Sequence, residues 1–319
     1  MLGSSKGRVF AAVAFGLLGC PSDDPMGSQG TAATGTDGAT AGVATRVDTT
    51  AQPEPSSGGP PVGPPGEFEV LTYNVAGLPE EISGSSPVEF IPQISPLLND
   101  FDMVLVQEDF WYHDALTAEI TLPYASTPWS KAPTLADIGD GLNRFGVHPF
   151  ADHERTAWYA CHGQFDCSSD CLATKGWSVA RTTVAEGVEI DVYNLHMEAG
   201  GCPMDLEIRA QAARDLVDAI TARSPDHAVI VAGDFNLDAE DPEDEEPLRI
   251  FREDAQLVDA CDAVACDDQR IDHVMVRDGP DLALEVLEWW VPEQFVDAAS
   301  GMPLSDHLPV AARLRYVPG

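Results

Sequence analysis

Basic residues are scarce in this sequence: 17 Lys+Arg stand against 53 Asp+Glu, a formal net charge of -36 at pH 7. Only 5 of the acids and 3 of the bases precede Glu67, so the charge belongs to the remainder of the chain. A surface of that sign repels polyanions and lacks the Lys and Arg that release counterions from phosphates, which makes nucleic acid a disfavoured partner. A bound divalent cation can still reverse the field at one site. Long apolar runs are lacking too. The run from Val9 to Leu18 is shorter than the roughly 20 residues a spanning helix needs, and no later run is long enough to span a membrane. Large apolar residues are almost absent from Pro21 to Gly66, where Gly, Thr, Ala, Ser and Pro dominate. Such a segment cannot repay the entropy of ordering, so residues 20–66 read as a disordered tether.

What is present at the N-terminus is a charged start, Lys6 and Arg8, an apolar run, and the ending LLGC. This resembles a bacterial lipoprotein signal peptide over residues 1–19. The resemblance implies cleavage before Cys20, a lipid on its sulfur that anchors the chain to a membrane, and an exported protein, either a cell-envelope lipoprotein or secreted. The alternative is an ordinary signal peptide with a chance cysteine. The other six cysteines are Cys161, Cys167, Cys171, Cys202, Cys261 and Cys266. In an exported protein they are expected as disulfides. Cys261/Cys266 and a pair within the 161–171 cluster would close short loops, although the connectivity stays open. The competing reading is zinc held by Cys167, Cys171 and His162.

From Glu67 onward, short β-rich apolar runs are bounded by polar or turn residues: Phe68 to Tyr73, Met103 to Val106, Val188 to Leu195, Val229 to Ala232, Ile271 to Val276 and Leu308 to Leu314. Leu206, Ala210, Ala213, Leu216, Val217 and Ile220 fall near helical spacing, which predicts an amphipathic helix from Asp205 to Arg223. A second helix is expected over Pro87 to Asp100. Strands mixed with helices throughout one segment indicate an α/β domain.

Polar residues follow the ends of these runs. Asn74 closes LTYN, Glu108 follows VLVQ, His196 ends YNLH, Asp234 and Asn236 lie in AGDFN, Asp272 in RIDHV, and Asp306 and His307 in LSDHLPV. Singly, an Asn or Asp after a strand is turn chemistry. Together and in this order they resemble the endonuclease/exonuclease/phosphatase family, over Phe68 to Arg315. That resemblance implies one catalytic domain, 67–319, built as a four-layer α/β/β/α sandwich with two mixed sheets face to face and helices outside.

It also implies a divalent-metal-dependent phosphodiesterase. Glu108 would be the principal metal ligand, with Asn74 beside it contacting metal or phosphate and Asp306 completing the shell. Oxygen donors favour Mg²⁺, with Mn²⁺ or Ca²⁺ as alternatives. His307 would take a proton from the attacking water and Asp272 would orient its ring. Asp234 and Asn236 would position the nucleophile, and His196 would donate to a phosphoryl oxygen.

Within the family, CLATKGWSVARTTVAEGVEIDVYNLHMEAGG is most like the neutral sphingomyelinase branch, which makes Lys175 a candidate phosphate contact and a phospholipid such as sphingomyelin the expected substrate of a monomeric enzyme. Arg209 and Gln211 point the same way. Lys175 has an equal reading as a solvated lysine. Trp289 and Trp290, and likewise Trp111 and Tyr112, either face lipid or pack in the core. The acidic run Asp238 to Glu246 reads as a solvated loop, with Ca²⁺ capture as the alternative. Two other functions remain open: a secreted nuclease or phosphatase of soluble esters, and a non-catalytic binding module on the same fold.

Overall fold

The computed structural model describes residues 63–129, 138–163, 170–266 and 270–319, and the backbone of 46–48. The signal-like segment, Cys20 and Cys167 lie outside the described residues. In chain order the strands are β1 (Arg46–Asp48), β2 (Gly66–Asn74), β3 (Met103–Gln107), β4 (Tyr124–Ala125), β5 (Asn143–Gly146), β6 (Phe150–Ala157), β7 (Gly176–Ala185), β8 (Val188–His196), β9 (Ala228–Asp234), β10 (Val258–Asp259), β11 (Asp272–Arg277), β12 (Leu282–Trp290) and β13 (Val310–Pro318). The helices are α1 (Pro87–Leu97), α2 (His113–Thr117), α3 (Pro203–Arg223), α4 (Glu245–Arg249) and α5 (Ala260–Val264).

The strands form a 7-stranded sheet, β1-β6-β7-β8-β9-β11-β10, and a 6-stranded sheet, β12-β13-β2-β3-β5-β4. Both are mixed: β8 and β9 run parallel in the first, β2 and β3 in the second, and the other pairs are antiparallel. Short β1, inside the segment read as a tether, pairs with β6.

Alternation along each central strand creates the layers, because successive side chains leave opposite faces. In β9, Ile230 and Ala232 enter the cluster between the sheets, whereas Val229 and Val231 enter the cluster under α3. In β2, Phe68 and Val70 face the other sheet while Leu71 and Tyr73 face α1. Strands apolar on both faces must be covered on both, which explains their continuous Val/Ile/Leu character. The result is the expected four layers.

α3 begins two residues before the expected Asp205, since Pro203 suits a first helical turn and the Asp205 carboxylate accepts the Cys202 amide at 2.9 Å. Its buried face is Ile208, Ala212, Ala213, Leu216, Val217 and Ile220, so Leu206 and Ala210 stand to the side of the stripe assigned from spacing. α1 stops at Leu97 and its expected last turn, Leu98–Asp100, tightens into a 3₁₀ turn after Pro96. The final strand starts at Val310, leaving Leu308 exposed.

The described cysteines form disulfides. Cys161 bonds Cys171 and Cys261 bonds Cys266, and Cys202 is disulfide-bonded as well. With Cys171 in a disulfide, the zinc reading fails. Trp289 and Trp290 lie on opposite faces of β12. Trp289 packs on the inter-sheet cluster under the Arg270 guanidinium, 4.9 Å from the ring centre, and Trp290 stacks on Phe101 with ring centres 6.5 Å apart. Both are partly buried core side chains. Tyr112 packs against the outer cluster and its hydroxyl accepts the Glu80 amide at 3.2 Å. No helix among the described residues is long and apolar enough to cross a membrane.

Candidate active site

One edge of the sandwich collects every strand end that the sequence marked with a polar residue. Parallel β2 and β3 both finish there, bringing Asn74 and then Glu108, and parallel β8 and β9 finish beside them with His196 opposite Asp234 in register. β11 runs antiparallel to β9, so its first residue, Asp272, pairs with Asp234. β13 is antiparallel to β2 with Val310 opposite Thr72, and the residues leading into it place His307 at the same edge. Sequence positions some 230 apart are thereby joined, as the 2.7 Å bond from the Ser305 hydroxyl to the Asn74 carbonyl records.

The Asp234 carboxylate is the hub. Its Oδ2 accepts from Asn74 Nδ2 at 3.0 Å, lies 3.3 Å from His196 Nε2 and 3.7 Å from His307 Nε2. Its Oδ1 accepts the Asn236 amide at 3.0 Å. His307 Nδ1 meets Asp272 Oδ2 at 2.8 Å, which assigns the Nδ1–H tautomer and points Nε2 at Asp234. Asn74 Nδ2 also donates to Glu108 Oε1 at 3.1 Å, while its oxygen accepts the Ala76 amide at 3.0 Å. That bond fixes the amide orientation: nitrogen, not oxygen, faces the carboxylates, so Asn74 holds Glu108 and Asp234 apart at a set distance.

Burial dominates the electrostatics. It pushes the Glu108 carboxyl up, partly offset by the Asn74 hydrogen bond and the charges of His307 and Lys175. It pushes Asp234 up as well, with Asp272 adding to the rise and His307 opposing it. For His307, burial works against the charge, but Asp272 and Asp234 outweigh it and hold the imidazole well above its ordinary range. His196 is driven down by burial and by the neighbouring Lys175 and His307, so it stays neutral. Its side chain is only 3% exposed and sits behind Asp234, an arrangement suited to orienting that carboxylate.

The remaining candidates occupy the rim. Lys175 is partly buried, and Nζ donates to the Met197 carbonyl at 3.1 Å; Asn236 Nδ2 donates to the same oxygen at 3.1 Å. Asp306 is exposed and takes the Ser305 hydroxyl at 3.3 Å, outside the closest carboxylate group although its charge acts on Glu108 and His307. Arg209 is buried; it grips the Gly200 carbonyl at 2.6 Å and Asp244 at 3.0 Å, tying the loop after His196 to the acidic run. That run is therefore anchored at Asp244 rather than wholly solvated.

Three residues that sequence reading passed over support the site. Ser305 donates to Asn74 and its oxygen accepts the His307 amide at 3.2 Å, linking His307 to β2. Gln107, fully buried, donates to Asn194 at 2.7 Å and Thr72 at 3.1 Å and so crosses between the sheets beneath Glu108. An amide inside the apolar run VLVQ was the available signal. Trp158 Nε1 donates to the His196 carbonyl at 2.7 Å, and nothing local in the sequence marks it.

Strain collects here. Ala76, Glu108 and Asn236 take left-handed backbone with φ of 50°, 56° and 50°, a conformation that costs non-glycine residues about 1–3 kcal/mol each. The Gly77 amide donates to the Glu108 carbonyl at 3.0 Å. A Cβ at Gly77 would collide with that oxygen. Gly77→Ala is therefore expected to destabilise the fold by about 1–3 kcal/mol and to raise the Mg²⁺ concentration giving half-maximal activity; a metal titration matching wild type would remove this link.

The donor set fits a hard divalent cation. Asp234 lies within 4.8 Å of the polar atoms of Asp272 and His307 and is joined to Glu108 through Asn74. Asp272 Oδ1 is buried without a partner, and Glu108 accepts a hydrogen bond only on Oε1 among the described residues. Carboxylates raised by burial lack countercharge, which a cation supplies.

A model of the "Endonuclease/Exonuclease/phosphatase family" matches residues 71–307. Proteins named sphingomyelinase from Mycobacterium bovis and Mycobacterium tuberculosis are 31% identical over 275 residues, covering 79% of this chain and 53% of each relative. The chain thus spans about half the length of these curated relatives. Sphingomyelinase C from Streptomyces griseocarneus superposes with a TM-score of 0.57 at 19% identity, over 78% of this chain and 99% of that one. A mutant Staphylococcus aureus beta toxin with bound magnesium ions does so with a TM-score of 0.57 at 18% identity, over 77% and 99%.

Proposed function

This chain belongs to the endonuclease/exonuclease/phosphatase family, and from that premise we propose that it is a divalent-metal-dependent phosphodiesterase that cleaves a phospholipid of the sphingomyelin type, on the phospholipase C side of the phosphorus. The observation that carries the reading is the His307–Asp272 pair set against Asp234 and Glu108, in a chain 31% identical to sphingomyelinases.

Glu108 would hold the cation, in an oxygen-rich setting that Asp234 and Asp306 complete. When bound, a divalent cation offsets charge growing on the phosphoryl oxygens. His307 Nε2 and Asp234 Oδ2, 3.7 Å apart, can each accept a proton from one water placed between them and the phosphorus. His307 is the proton acceptor. Asp272 holds Nδ1–H so that Nε2 presents its lone pair, and its carboxylate steadies the imidazolium that forms. Asn236 Nδ2 and Lys175 Nζ present N–H donors beside the phosphate position, Asn74 spends both amide protons on Glu108 and Asp234, and the neutral His196 ring braces Asp234.

A lipid fits better than a polyanion for two reasons. The net charge of -36 opposes nucleic acid, and the chain on either side of His307 leaves the apolar side chains of Val296, Met302 and Leu308 exposed. Export as a lipid-anchored envelope protein, the reading from LLGC, would place such an enzyme at a membrane surface.

The test is turnover by the full chain in Mg²⁺ on sphingomyelin vesicles, phosphatidylcholine vesicles, single-stranded DNA and inositol phosphates. Release of phosphocholine from sphingomyelin, lost in His307→Gln and in EDTA, is the expected result. Hydrolysis confined to DNA or inositol phosphates sinks the lipid assignment, and no turnover of any substrate leaves a binding module.

A further inference from the structure

Among buried arginines outside the candidate active site, Arg144 is the one that no carboxylate of the described residues faces; its guanidinium lies over the Phe150 ring, 5.7 Å from the ring centre. It lies in β5 inside the sandwich, 3% exposed. The other buried arginines face a carboxylate, Arg155 on Asp140 at 2.7 Å and Arg209 on Asp244 at 3.0 Å. Arg144 has only neutral acceptors: Nη2 donates to the Val192 carbonyl at 3.0 Å and to the Ser178 carbonyl and hydroxyl at 3.4 Å. Nε is buried without a partner, and Nη1 donates to none of the described residues. The charges of Arg155 and Arg223 repel it. A buried charge is tolerated when something pairs with it.

Against this guanidinium lies a small recess, lined by Arg144, His148, Thr182, Phe150, Met103 and Asp102 among others, with room for one body of about the size of water. His148 Nε2 is a second buried atom without a partner. Burial lowers the His148 imidazole, which stays neutral and has an N–H to donate. Asp102 is the one acid in the lining. Its carboxylate accepts the Glu69 amide at 2.9 Å, and its charge acts on His148.

We propose that this recess binds a single small monovalent anion of the halide class, held by the unpartnered Nε–H of Arg144 with His148 and Thr182 as further donors. One positive charge and one water-sized space match one monovalent sphere. Phosphate or sulfate needs more room and brings a second charge. The apolar walls, Phe150 and Met103, suit a weakly hydrated ion such as chloride. Its effect falls on stability, because β5 pairs with β3 and Arg144 reaches across the sandwich to β7 and β8. It is independent of the phosphodiesterase assignment.

Crystals of the full chain soaked in sodium bromide test the proposal directly: an anomalous peak is expected within contact distance of Arg144 Nε or Nη1. In solution at constant ionic strength, replacing chloride by gluconate should lower the wild-type Tm by about 2–4 °C and leave Arg144→Met unmoved. If Arg144→Met does not fold, the bromide map and a wild-type chloride titration decide. A recess holding only water, with no anomalous signal, overturns the proposal, as does a Tm that ignores the identity of the anion.

Discussion

His307→Gln is expected to lower kcat by about 10²- to 10⁴-fold, the usual contribution of a positioned proton acceptor, with KM changed far less. Glutamine keeps a side chain of similar reach but no atom that takes a proton at neutral pH. The pH dependence supplies a second readout. Asp272 and Asp234 hold the His307 imidazole well above its ordinary range, so the proton-accepting form grows in as pH rises through that raised value. Activity should therefore fall on the acid side. Asp272→Asn removes the larger stabilising charge on the imidazolium and should move the acid limb of kcat/KM to lower pH while reducing the maximal rate. A folding linkage of the same sign follows: stabilisation from the His307–Asp272 pair is full below the unfolded histidine value and is lost as pH rises through the folded one. NMR titration of the His307 ring in wild type and Asp272→Asn checks both. An unshifted ring would separate Asp272 from the base.

The second large effect is expected at Glu108. Glu108→Gln should cost about 100-fold or more in activity at low Mg²⁺, since losing even an outer-sphere partner typically costs 10–100-fold. Its structural signature runs the other way. Burial raises the Glu108 carboxyl, so in the metal-free protein this group destabilises the fold as pH rises from its unfolded value through its folded one. Glutamine removes that liability. Metal-free Glu108→Gln should therefore be at least as stable as wild type near neutrality, yet gain less Tm on adding Mg²⁺. Equal Mg²⁺-induced shifts in the two proteins would move the ligand role elsewhere, with Asp234 and Asp272 next in line.

Local pattern carried much of this. Runs such as VIVAGDFN announce a buried strand and the polar group at its end, because alternation and apolar continuity are properties of neighbouring residues. The acidity and the tether composition are likewise properties of the chain alone, and the order of Asn74, Glu108, Asp234 and His307 carries the family resemblance that implies two packed sheets and phosphate chemistry. Other features depend on which distant residues meet. The direction of Trp289 and Trp290 was undecided until β12 paired with β13, since one residue of register exchanges the two faces of a strand. The helical stripe on α3 was misplaced at Leu206 and Ala210 because spacing alone does not say where the sheet lies.

The candidate active site shows the same division. Residue types belong to the sequence; their partnership belongs to the fold. That Asp234 Oδ2 lies between Asn74, His196 and His307 follows from parallel pairing of β8 with β9 and antiparallel pairing of β9 with β11. That Asn74 turns its nitrogen rather than its oxygen to the carboxylates follows from one backbone amide, Ala76. Composition and periodicity act over a few residues and settle which groups are available and which segments are strands. Hydrogen bonds and ion pairs act over about 3 Å, and only the closed sandwich brings side chains 35 to 160 positions apart to that distance.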